Sequence, residues 1–90
     1  MHLAIRYTSA FKRDFRKAEK QKKDVAKLQV VLELLVSGQP LPEKNRDHDL
    51  GGKWAAYRDC HIEPDWLLIY RIEGHELILV RLGSHSEVFG

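Results

Sequence analysis

Two apolar runs that meet at Pro64-Asp65 constrain this chain more than any other feature. Residues 54–62 and 66–72 flank that turn, and a third run, 76–82, follows Gly74-His75. Alternating runs separated by such turns read as a three-strand antiparallel meander. If both turns are two-residue hairpin loops, Glu63 lies opposite Trp66, His61 opposite Leu68 and Asp59 opposite Tyr70. On the other side Glu73 faces Glu76, Tyr70 faces Leu79 and Leu68 faces Arg81. Side chains alternate along a strand. One face would therefore carry Tyr57, Asp59, His61, Leu68, Tyr70, Leu79 and Arg81, and the other Cys60, Ile62, Leu67, Ile69, Ile78, Val80 and Leu82. The second face is apolar and is expected to cover helices. The first puts His61 and Arg81 in one row with Leu68 between them, provided neither strand slips by a residue.

The N-terminal half supplies the cover. Leu3, Ile5 and Tyr7 alternate with polar neighbours and predict a short strand. Thr8 or Ser9 can cap a helix in which Phe11, Phe15 and Ala18 form the apolar stripe. Lys12, Arg13, Arg16, Lys17 and Lys20 surround that stripe. After the polar break 21–23, Asp24 is placed to cap a second helix carrying Val25, Leu28, Val31, Leu32 and Leu35. Gly38, Pro40 and Pro42 stop it. So short a break predicts an antiparallel helix pair. Residues 39–53 read as a long polar loop containing Asp47-His48-Asp49 and Gly51-Gly52.

Ninety residues are enough for one domain, spanning 1–90. No run approaches the roughly 20 apolar residues of a membrane span, and residues 1–7 lack a signal-peptide core. The single cysteine, Cys60, forms no internal disulfide, which fits a reducing cytoplasm. Its strand parity makes it a core residue. The net charge is only +2, yet residues 11–27 hold eight Lys or Arg against three acids. Such a stripe suits a polyanion or an acidic protein partner, or is a solvated helix face.

The meander and its flanks concentrate groups that move protons and bind anions: His48, His61, Asp65, Arg81 and His85. RNA is cut without a metal when its own 2′-hydroxyl attacks the adjacent phosphorus. That reaction needs a base, an acid and a cation to stabilise the phosphoryl oxygens. Histidine serves as base or acid near neutrality, and arginine grips phosphate through two N–H groups. Trp66, Tyr57 and Tyr70 are candidates to stack on splayed bases. Zinc is an alternative use of three histidines and a carboxylate, but their spacing matches no compact zinc motif. No cofactor or metal is therefore expected. A structural alternative makes Trp54 and Trp66 core residues and pairs Arg81 with Asp59 or Glu63.

The run from Tyr57 through Arg58, Asp59, Cys60, His61, Ile62, Glu63, Pro64, Asp65, Trp66, Leu67, Leu68 and Ile69 to Tyr70 closely resembles the signature of YafQ-type toxins. These form the mRNA-interferase branch of the RelE/ParE toxin–antitoxin superfamily. Asp47-His48 with Leu50-Gly51-Gly52 resembles the family's preceding segment, and Arg81, Gly83, His85 and Phe89-Gly90 resemble its ending. The resemblance implies a RelE-like α/β (α+β) fold with two N-terminal helices packed on a twisted, mainly antiparallel four-stranded sheet. It implies a ribosome-dependent endoribonuclease of the bacterial cytoplasm that cuts mRNA in the A site, with a RelB/DinJ-type antitoxin as partner. It places the family's functional positions on His48, His61, Asp65, Trp66, Arg81, His85 and Phe89. In that scheme His85 is the general acid and Asp65 or His61 stands closest to the 2′-proton. Arg81 stabilises phosphoryl charge, His48 assists, and Trp66 and Phe89 position the nucleotide. Lys12, Arg13, Arg16, Lys17 and Lys20 would meet ribosomal RNA or the antitoxin. The rival readings are a ParE-like gyrase-binding toxin and a non-catalytic RNA-binding module.

Overall fold

The computed structural model describes residues 2–90. It runs β1 (Ala4–Tyr7), α1 (Ser9–Lys20), α2 (Val25–Val36), β2 (His48–Asp49), β3 (Arg58–Glu63), β4 (Trp66–Glu73), β5 (Glu76–Gly83) and α3 (His85–Phe89). Short 3-10 turns at Glu43–Asn45 and Gly52–Trp54 break up the segment between α2 and β3.

Local chemistry sets the helix limits. Thr8 accepts from the Phe11 amide at the start of α1, and its hydroxyl also donates to the Leu79 carbonyl at 2.8 Å, tying the helix to β5. Asp24 caps α2 by accepting from the Ala26 amide. Gly38, at φ +73°, ends α2 in a Schellman turn, with Gly38 N–H donating to Leu35 and Gln39 N–H to Leu34. The stripe Phe11, Ala18, Leu28, Val31 and Leu35 is buried, and α1 packs on β5 while α2 packs on β3.

The sheet has five strands in the order β1-β5-β4-β3-β2 among the described residues, not the expected four. β1 runs parallel to β5 and every other pair is antiparallel. The additional strand is the two-residue β2, which pairs His48 with Asp59 and Asp49 with Arg58. It arises from a segment read as loop, because two residues are too few to show alternation. A second difference is α3, a helix that no expectation had placed there.

Both hairpin turns are two-residue loops, with Glu63 opposite Trp66 and Glu73 opposite Glu76. Tyr70 also faces Leu79 as expected. The row of His61, Leu68 and Arg81 does not form. A bulge at Ile62 and another at Val80 each shift the register by one residue, so Leu68 pairs with Cys60 and Leu82. The consequence for β4 is a reversal of faces. Leu68 and Tyr70 join Cys60, Ile62, Leu79 and Leu82 in the helix-covered core. Leu67 and Ile69 share the opposite face with His61 and Asp59 and are covered there, α3 lying against β4 and β5.

Candidate active site

Register places the site. His48, Asp59, Ile69 and Arg81 form one row across β2, β3, β4 and β5. The adjacent row is His61, Leu67 and Gly83. Paired residues share a face, so His48, Asp59 and His61 lie together, away from the helix-covered core. α3 closes over the second row. A Cβ on Gly83 would lie 3.0 Å from Glu87 Oε1 and 3.4 Å from Val88 Cγ2, so glycine permits this close approach. Ser84 and Glu87 form a reciprocal capping box that starts the helix and sets where His85 projects.

His85 and Asp65 form a dyad. The His85 Nδ1–H donates to Asp65 Oδ1 at 2.6 Å, and the His85 backbone N–H donates to the same oxygen at 3.0 Å. These two bonds hold the Asp65 carboxyl below its usual range. They also leave His85 Nε2 as the free ring nitrogen. The His61 ring lies 5.4 Å from the His85 ring, centroid to centroid. Burial lowers the His61 pKa from its ordinary value against the opposing pull of Asp59, favouring the neutral ring that a base requires. Asn45, itself buried, fixes the local backbone by donating to the His61 carbonyl at 2.7 Å. A groove of about 870 Å³ opens beside the two rings, lined among others by Leu34, Asn45, Arg46, His61 and His85.

His48 reaches this face from β2. Its Nδ1–H donates to the Arg46 carbonyl at 2.6 Å, turning Nε2 to within 3.8 Å of Asp59 Oδ2. The aspartates beside it serve another purpose. Asp47 and Asp49 both accept from the Arg58 guanidinium, and the buried Tyr70 hydroxyl donates to Asp47 at 2.5 Å.

Arg81 lies apart. It shares the Asp59 row, but two strand spacings place their backbones about 10 Å apart. Its partner is Asp14 of α1, with Nε donating at 2.7 Å and one Nη at 3.3 Å. That same Nη also donates to the Glu87 carbonyl. The structural alternative had paired Arg81 with Asp59 or Glu63, and that pairing is corrected. Asp14 was not anticipated, although it falls between Phe11 and Ala18 on the buried stripe. A carboxylate there signals an ion pair.

Two stacking assignments are corrected by burial. Trp66 is 2% exposed and Tyr70 1%, both within the helix-facing core, so neither ring can meet a base. The exposed aromatic on this part of the surface is Phe89, 42% accessible. It stands edge-on to Trp54, which also meets Tyr57. Lys12, Arg13, Arg16, Lys17 and Lys20 are all exposed along α1, and Lys17 forms a 2.5 Å ion pair with Glu87.

Known proteins share both sequence and structure. The family model described as the bacterial toxin of type II toxin–antitoxin systems, YafQ, matches residues 3–90. The mRNA interferase toxin YafQ of Escherichia coli K12 is 41% identical over 87 residues, covering 96% of this chain and 95% of that protein. The E. coli DinJ–YafQ toxin–antitoxin complex contains a chain that superposes with a TM-score of 0.91 at 40% identity, each chain covered completely. A metal-bound toxin from Helicobacter pylori superposes with a TM-score of 0.91 at 42% identity, over 97% of this chain and 99% of that one. A match that spans residues 3–90, with relatives alike in sequence and fold along nearly their whole lengths, establishes that the chain belongs to the YafQ family of type II toxin–antitoxin toxins.

Proposed function

We propose that the protein is an mRNA interferase, an endoribonuclease that cuts mRNA in the ribosomal A site and so stops translation. The observation that carries this reading is the His85–Asp65 dyad set against the desolvated His61. Asp65 orients the His85 ring by accepting from Nδ1–H, so Nε2–H is directed outward as a general acid for the leaving 5′-oxygen. His61, neutral and 5.4 Å away by ring centroids, takes the 2′-proton. His48 assists beside His61, and Phe89 packs against the nucleotide. Arg81 stabilises phosphoryl charge through its remaining Nη, held in place by Asp14. The basic face of α1 meets ribosomal RNA, and the ribosome sets the working compartment as the bacterial cytoplasm. A DinJ-type antitoxin neutralises the toxin, as the E. coli complex suggests.

The metal in the H. pylori relative raises the question of a resident ion. Among the described residues no three His, Cys, Asp or Glu side chains converge as ligands, so this arrangement does not fit one. The reaction proposed here uses the chain's own groups.

The test maps mRNA 5′ ends on translating ribosomes kept in Mg²⁺, with toxin that either has or has not first been treated with EDTA and desalted. Cuts in codon register that survive EDTA and vanish in His85→Ala and Arg81→Ala are expected. Unchanged cutting in both variants overturns the assignment of those residues. Loss of cutting after EDTA treatment, restored by zinc, overturns the metal-free route. Absence of cutting together with gyrase inhibition identifies a ParE-like toxin instead.

A further inference from the structure

We propose that Asp59 is a positioning residue whose buried carboxylate organises His48 and His61 from beneath the site. This rests on the interferase reading for its catalytic consequence, but not for its structural content. Asp59 is 4% exposed and lies on β3, between β4 and the short edge strand β2. Its Oδ1 has no hydrogen-bond partner, nor does the equally enclosed His61 Nδ1 two residues along the same face. Buried carboxylate oxygens without partners are rare in folded proteins, and one at a site asks for a reason.

The surroundings supply the reason. His48 is directly opposite Asp59 in the β2–β3 ladder. Its Nδ1–H is committed to the Arg46 carbonyl, so the nitrogen facing Asp59 Oδ2 is Nε2. Asp59 Oδ2 stands 3.8 Å from that nitrogen, close enough for an ion pair when the ring is protonated. The charged groups acting on Asp59 are His61, His48, His85 and Asp47. Arg58, next in sequence, spends its guanidinium on Asp47 and Asp49. Arg81, in the same row, spends its own on Asp14. Asp59 therefore has titratable histidines rather than arginines beside it. Burial raises its pKa, so this carboxyl takes up a proton more readily than a solvated one. Its negative charge also opposes the desolvation of His61. Removing the charge leaves that ring less basic and His48 Nε2 without its counterpart.

The experiment has two arms, both on the full chain. In the first, ring ¹⁵N signals of the histidines are followed against pH in wild type and Asp59→Asn, without substrate. The expected result is a lower titration midpoint for His61 and altered His48 ring shifts, with the amide spectrum otherwise preserved. Unmoved histidine signals overturn the proposal, whether or not the protein cuts RNA. In the second arm, ribosome-dependent cleavage by Asp59→Asn is expected to fall 10- to 100-fold in kcat, with KM within about twofold and an altered pH–rate profile. A loss of activity that only tracks loss of folded protein, with the wild-type pH profile retained, also overturns it. If wild type itself does not cut, the interferase reading fails and the first arm still decides the role of Asp59. Should Asp59→Asn not fold, His48→Gln in the exposed β2 reports the same contact. The Asp59 carboxyl ¹³C signal should then move, and an unmoved signal refutes the pairing.

Discussion

Truncating Asp14, the carboxylate on the buried stripe of α1, should destabilise the fold. Asp14 accepts three hydrogen bonds: Arg81 Nε at 2.7 Å, an Arg81 Nη at 3.3 Å and the Leu82 amide at 2.9 Å. A bond to a charged group contributes about 1.5–3 kcal/mol when shielded. The Arg81 side chain is 30% accessible, so water screens the pair and brings it toward about 1–2 kcal/mol. The Leu82 amide, left without an acceptor, costs about 1 kcal/mol, the low end for a backbone donor, because the adjoining cavity of about 180 Å³ can admit water. Asp14→Ala should therefore destabilise the fold by about 2–3 kcal/mol. For a domain of this size that lowers Tm by about 10–20 °C. Asp14→Asn keeps an acceptor for Leu82 and should lose about half as much. Urea unfolding of Asp14→Ala, Arg81→Met and the double variant completes a cycle, with a coupling of about 1–2 kcal/mol expected. A coupling below about 0.5 kcal/mol refutes the argument, since the two side chains would then be energetically independent. Cleavage by Asp14→Ala, assayed below its new Tm, should fall with that of Arg81 variants, because the guanidinium loses the carboxylate that orients it.

Two further expectations separate roles that the sequence alone confuses. Trp66→Ala should cost about 3–5 kcal/mol in urea unfolding, as emptied aromatic core positions do. Phe89→Ala should leave stability within about 1 kcal/mol yet reduce cleavage, and the reverse pattern would restore Trp66 as the nucleotide contact. The Glu87 carboxyl, paired with Lys17 and bonded to the Ser84 amide, is held down to about 2 from an ordinary 4.5. Its folded-state pKa is depressed, so its contribution is complete above pH 4.5 and fades as pH falls toward 2. Over that window the stability gap between wild type and Glu87→Gln should close, read from urea midpoints at successive pH values. A gap unchanged across that window would mean that the ion pair contributes nothing.

The two turns, both helix caps and the apolar stripes could be read from residue types because each is decided within a few residues. Pro64-Asp65 and Gly74-His75 set the hairpins, Thr8 and Asp24 the helix starts, and Gly38 the stop. The bulges at Ile62 and Val80 were not legible. Each is a trade between ladder hydrogen bonds and side-chain packing across three strands, and no local motif records it. One residue of slip turned Leu68 and Tyr70 inward and separated Arg81 from the His61 row. His48, His61, Asp65 and His85 were visible as chemistry; the structure sets His48 opposite Asp59, and His85 against both Asp65 and the His61 ring. The short α3 did leave a trace, since Ser84 followed three residues later by Glu87 is a capping box in plain sequence.

The parallel pairing of β1 with β5 also orders events in time. Ala4 bonds to His75, and the Thr8 hydroxyl reaches the Leu79 carbonyl across 71 residues. Closing so long a loop comes late and slows folding. During synthesis β1 waits for about 70 residues until β5 has been made, and the His85 helix follows β5. Until then the strand that joins beginning to end has no neighbour, and the dyad lacks its histidine. Under the interferase reading proposed above, a chain made only as far as β4 lacks both the partner of β1 and the acid of the reaction.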